Sequence, residues 1–144
     1  MTTETMSRRL KIVGVVNLIF GASFALAALP ALSLPAMLFA DVVIWPIGGA
    51  EDGTSPVARL MLAIAGGVIA GFGALWYAAS GRACEEAPLL VRKMLMTGAL
   101  TWFVVDSLGS VLAGAPVNVL GNAGYLAFLL WPVWSVGKVK TATA

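Results

Sequence analysis

The chain has 144 residues, 60% of them hydrophobic and only 11% charged, with a mean hydropathy of +0.93. A soluble domain carries about 25% charged residues, so this composition cannot cover a surface in water, and lipid must do the covering. The formal net charge is +2; the absence of histidine and the single cysteine exclude His-ligated haem, zincin-type and Ser-His-Asp sites, and with them dithiol oxidoreductase chemistry.

The length leaves room for four spans of about 20 residues and their connections. The expected fold is an all-α membrane protein. Four transmembrane helices form one antiparallel bundle, in a single domain over residues 1–144. Span one covers residues 10–29 and stops at Pro30. Its opening, Arg8-Arg9-x-Lys11 before an apolar stretch, also has the form of a signal peptide. The apolar stretch outruns a signal core of about 7–15 residues, and further spans follow, so the reading favoured is an uncleaved span.

Residues 35–46 (PAMLFADVVIWP) are apolar but too short to span. They are expected to lie along the interface or as a lid, with Trp45 at headgroup level and Asp41 toward water. A re-entrant loop is the alternative, but a pore loop wants glycines, and here these follow Pro46. Span two covers residues 57–79, span three 89–112 and span four 117–136. Pro46-Ile-Gly-Gly, Asp52-Gly53-Thr-Ser-Pro56, Ser80-Gly81 and Gly114-Ala-Pro116 punctuate the connections. The last of these is so short that spans three and four must form an antiparallel hairpin. No internal repeat is evident, nor the matched broken helices of an inverted-repeat transporter.

Orientation follows from lysine and arginine. Arg8, Arg9 and Lys11 precede span one, Arg82, Arg92 and Lys93 flank the second connection, and Lys138 and Lys140 follow span four; only Arg59 falls on the other side. The positive-inside rule then places both termini in the cytoplasm and Asp41, Glu51 and Asp52 outside.

Asp106 is the one carboxylate within the apolar run from Met94 to Leu112. A charge there costs a few kcal/mol in lipid and must face protein or water. Six residues separate it from the end of the span, about 9 Å. Asn122 lies as far after Gly114 as Asp106 lies before it, so the hairpin brings the two to one depth. Arg59 can reach inward along its stem. The expected polar centre is therefore Asp106 paired with Arg59 and braced by Asn122, with Asn118 or Ser110 also in reach. One reading is a structural clamp on the hairpin; the other is a protonatable ion or substrate site. The Arg59 partner and the off-centre depth favour the clamp.

Gly67-x-x-x-Gly71, with Gly66 and Gly73 beside it, gives span two a smooth face for helix packing, within the bundle or between copies. Asn17 is expected to bond a neighbouring helix. Trp76-Tyr77 and Trp131-Pro-Val-Trp134 read as belt residues, with Pro132 bending the end of span four. Glu85-Glu86 are read as solvated, since prenyl-endopeptidase chemistry would also require histidines. Cys84 beside them is a candidate for acylation. No phosphate-cradling glycine loop is present, and the basic residues are too scattered for nucleic acid.

The layout resembles the small four-helix bacterial inner-membrane proteins grouped as DoxX-like or BphX-like. The resemblance rests on a Gly-rich first span ending Leu29-Pro30, a polar outer connection, Pro56-Val-Ala-Arg59 opening a Gly-rich second span that ends Trp76-Tyr77-Ala-Ala, and a polar hairpin. It implies a bacterial inner-membrane bundle. Some members accompany redox systems, and without histidine such a role here would be accessory. The expected function is non-catalytic: an accessory or scaffold subunit of a membrane complex, packing against a larger assembly or a second copy. The alternative is a small proton- or cation-coupled transporter or channel using Asp106. No metal or cofactor is expected, and the expected partners are the lipid bilayer and other membrane proteins.

Overall fold

The computed structural model describes residues 2–44 and 55–134, and every regular element among them is helical. In chain order these are α1 (Thr3–Leu26), a single 3₁₀ turn (Pro30–Leu32), α2 (Leu34–Val43), α3 (Pro56–Ala79), α4 (Arg82–Glu86), α5 (Pro88–Leu112) and α6 (Asn118–Leu130). Local chemistry sets the boundaries. The Thr2 hydroxyl accepts from the Thr5 N–H and Glu4 sits in the first turn of α1, both favourable at the positive end of a helix. Ser55 caps α3 in the same way, with Pro56 in its first turn, and Pro88 opens α5.

Helices α1, α3 and α5 are each long and apolar enough to cross a membrane. Their outward faces are strongly apolar: Ile19, Val57 and Val105 are exposed and Leu112 is 88% exposed. Exposed apolar surface on this scale is what lipid covers. Helix α6 is shorter, 13 residues or about 20 Å. The fourth span expected over residues 117–136 ends as a helix at Leu130, where Pro132 has no N–H to continue the ladder, and residues 131–134 form a turn. Residues 135 and 136 lie outside the described part, as do Trp45, Pro46, Glu51, Asp52, Lys138 and Lys140.

The tightest interface joins α1 and α3. An added Cβ on Gly14, Gly21, Gly66 or Gly73 would come within 3.0 Å of backbone across the interface: Gly14 against Gly73 and Tyr77, Gly21 against Gly66 and Ala70, Gly66 also against Ala25. The helices run antiparallel, and each step of seven along α1 meets a step of seven back along α3. Ser7 Oγ donates to the Ser80 carbonyl at 2.6 Å, Gly14 faces Gly73, Gly21 faces Gly66, and the Ala28 carbonyl accepts from Arg59 Nε at 2.6 Å. Seven residues bring a helix back to nearly the same face, so Gly14 and Gly21 share one face of α1 and Gly66 and Gly73 the facing side of α3. Gly67 and Gly71 do not belong to it; a Cβ there meets nothing within 4 Å. The expected packing motif thus faces none of the other described helices. Gly67 lies about 100° round the helix from Gly66, and the register against Gly21 selects Gly66.

Helices α5 and α6 form the hairpin. Gly114 takes φ +80°, Ala115 N–H reaches the Ser110 carbonyl at 2.9 Å and Gly114 N–H the Val111 carbonyl at 3.1 Å. This is a Schellman ending, which needs a left-handed residue that glycine adopts without strain. The two pairs join through a core at the end holding the N-terminus and α4, including Met6, Leu10, Val13, Trp76, Leu95, Leu129 and Val133. Trp76, expected in the interfacial belt, is fully buried and its indole N–H donates to the Leu129 carbonyl at 3.1 Å. It follows Gly73 by three residues and so shares the inward face. The Leu129 carbonyl is available because Val133 N–H bonds Leu130 instead. Tyr77, Trp131 and Trp134 are exposed, and Arg9 lies over the Trp131 ring, 4.8 Å from its centroid.

The seam predicts a sharp contrast between adjacent glycines. Gly66→Ala should lower stability by about 1–3 kcal/mol, because backbone cannot yield to the methyl group. Gly67→Ala should change it by less than about 0.5 kcal/mol. Unfolding by SDS in mixed micelles measures both.

Candidate functional site

Asp106 and Ser110, one turn apart on α5, face Asn122 and Asn118, one turn apart on α6. The match follows from the hairpin: both pairs are spaced by four residues, and the Gly114 turn fixes their register. Asn122 Nδ2 donates to Asp106 Oδ2 at 2.6 Å and to Ser107 Oγ at 3.2 Å. Asn118 Nδ2 donates to Ser110 Oγ at 2.8 Å and, at 3.4 Å, to Asp106 Oδ2. Ser110 Oγ in turn donates to the Asp106 carbonyl at 2.8 Å. A carboxylate only accepts, so both carboxamides turn their NH₂ groups toward it and spend their hydrogens inside the cluster. Asp106 Oδ1 and the two carboxamide oxygens accept no hydrogen bond from the described residues.

Arg59 does not join this cluster, and Asp106 has no ion pair among the described residues. The reason is helical phase. Arg59 precedes Gly66 by seven residues and therefore shares the face turned to α1, where it satisfies the Ala28 carbonyl just beyond the end of that helix. The expected Asp106–Arg59 pair is replaced by a carboxylate held by neutral donors alone.

The cluster opens on a cavity of about 440 Å³ between the two helix pairs. Asp106, Asn118 and Asn122 form its polar end. The rest is apolar and mostly aromatic: Phe20 and Phe24 from α1, Phe39 from α2, Ala65, Val68 and Ile69 from α3, Trp102 from α5, and Gly121 and Tyr125 from α6. Phe20, Phe24 and Phe39 pack edge to face in sequence, at 4.8 and 5.5 Å between centroids, and Trp102 stands against Tyr125 at 5.0 Å. Tyr125 also reaches out of the cavity, donating to Asn17 Oδ1 at 2.6 Å. Asn17 is fully buried and its Nδ2 finds no acceptor among the described residues. This contact ties α1 to α6 across the cavity's inner boundary.

The chain matches no protein-family model, no curated protein and no solved structure. Its site is therefore defined by its own geometry. Tyr125 was accessible from the sequence, following Asn118 and Asn122 at helical spacing; Phe20 and Phe24 share a face by the same rule. Phe39 had no such signal, because only the path of α2 brings it to the cavity.

Two residues named from the sequence lie elsewhere. Glu86 closes an exposed ion pair with Arg82 at 2.7 Å within α4. Cys84 is fully buried, with Sγ 3.8 Å from the Thr3 carbonyl, a placement that withholds it from acylation. Burial, reinforced by the Glu85 carboxylate, raises its thiol above the ordinary value, which lowers the thiolate fraction at any given pH. N-ethylmaleimide should accordingly modify the folded protein far more slowly than a peptide thiol at neutral pH, with the rate rising only under more alkaline conditions. In the polar cluster, Asn122→Ala should cost about 1–3 kcal/mol in the same SDS titration, since it removes the shorter of the two hydrogen bonds to the half-buried Asp106 carboxylate.

Proposed function

We propose that this chain is a non-catalytic, four-span membrane protein whose working part is the Asp106 cavity, where a proton or cation binds and is carried. The observation that carries the reading is a carboxylate within an apolar helix long enough to span a membrane, at the polar end of a cavity, with no cationic partner and no donor to its Oδ1 among the described residues. Such a charge is costly in lipid unless a countercharge, a proton or water reaches it. The fourth crossing is α6 with the turn that follows it. The excess of lysine and arginine at the end holding the N-terminus and α4 supports cytoplasmic termini, and the DoxX-like and BphX-like layout supports a bacterial inner membrane.

Reconstituted into liposomes with a trapped pH dye, the protein should move protons or cations under an imposed potential. Asp106→Asn should reduce that flux to the level of protein-free liposomes while leaving SDS unfolding nearly unchanged, since the new carboxamide oxygen still accepts from Asn122. Undiminished flux in the variant, or none in the parent, sinks the reading.

A second reading, an accessory or scaffold subunit, draws on the outward glycines Gly67 and Gly71, which offer a smooth surface to another helix. It expects extraction in native lipid, followed by mass analysis, to return a homo-oligomer or larger complex. A monomer in every preparation rejects it.

A further inference from the structure

From the cavity's chemistry we infer that its ligand class is a lipophilic ammonium, a primary to tertiary amine carrying an aromatic or branched apolar body. The inference rests on reading Asp106 as a binding site and adds what the site selects. The polar end is acceptor-rich. The two carboxamides have spent their N–H groups on Asp106, Ser107 and Ser110, and Asp106 Oδ1 and the carboxamide oxygens meet no donor among the described residues. An anion would meet the Asp106 carboxylate with no Lys or Arg among the described lining residues to offset it. A hydrated metal ion would find one carboxylate and walls of Phe, Trp and Tyr, far from the several oxygen ligands that hard cations require.

An ammonium meets both halves of the cavity. Its charge neutralises Asp106 and its N–H groups satisfy the open oxygens, giving charge-assisted hydrogen bonds in a low-dielectric setting. Its apolar body lies along Phe20, Phe24, Phe39 and Trp102, whose ring faces also favour a nearby cation. The volume suits a small drug-sized molecule. A quaternary ammonium carries the charge but no N–H, so it should bind more weakly than the amine.

The test uses the full chain in phosphatidylcholine nanodiscs, with equilibrium dialysis against 1-naphthylmethylamine and subtraction of empty nanodiscs. The expected result is saturable binding, weakened about tenfold or more when the neutral 1-naphthylmethanol or the N-trimethylated amine replaces it. Asp106→Asn should bring the amine down to the level of the alcohol and leave the alcohol unchanged. Ala65→Phe, which fills the cavity without touching the polar cluster, should weaken both. Equal binding of amine and alcohol, as an acyl-chain pocket would give, overturns the proposal, as does amine binding that survives Asp106→Asn. A quaternary probe that equals the amine overturns the donor requirement. Asp106-dependent flux without amine binding rejects this ligand class and leaves the carrier; amine binding without flux does the reverse.

Discussion

The close approach of α1 and α3 is the constraint on which the rest of the fold depends. Where glycines meet glycines, two backbones approach without side chains between them, and dispersion contacts and orientation replace the hydrophobic driving force that lipid does not supply. Ser7–Ser80, Gly14–Gly73, Gly21–Gly66 and Ala28–Arg59 mark four successive levels of one antiparallel seam. That register decides which face of α3 is left for the hairpin. It turns Trp76 into the core, Arg59 toward α1, and Gly67 and Gly71 outward.

The two helix pairs consequently meet unevenly. At the end holding the N-terminus they share a packed core, fastened by the Trp76–Leu129 hydrogen bond between α3 and α6. Toward the other end aromatic side chains line a cavity instead, with Asp106 at its polar end. Tyr125 stands between the two regions, its ring in the cavity lining and its hydroxyl on Asn17. A tight seam on one side and a rigid Schellman turn on the other hold the cavity open without any polar group having to fill it.

The position of Arg59 also changes the meaning of Asp106. Paired with a guanidinium, the carboxylate would be a neutralised structural clamp. Held by two carboxamides, it meets no cationic side chain among the described residues, and its Oδ1 accepts no hydrogen bond from them, an arrangement that suits the binding of something positive. The two oxygens of one residue are thus placed differently: Oδ2 fastens the hairpin, and Oδ1 accepts no hydrogen bond from the described residues.

The sequence by itself determined the membrane class, the all-helical content, the long spans over residues 57–79 and 89–112, and the pairing of Asp106 with Asn122. Each is a local or near-local property: apolar length sets a span, Gly114 sets the hairpin, and a fixed register sets depth across it. The course of α2, the burial of Trp76, the phase of the glycine face and the partner of Arg59 were decided only by tertiary structure. Glycines on several faces of α3 are equivalent until α1 is docked against one of them, and a long arginine side chain reaches whichever acceptor that docking presents.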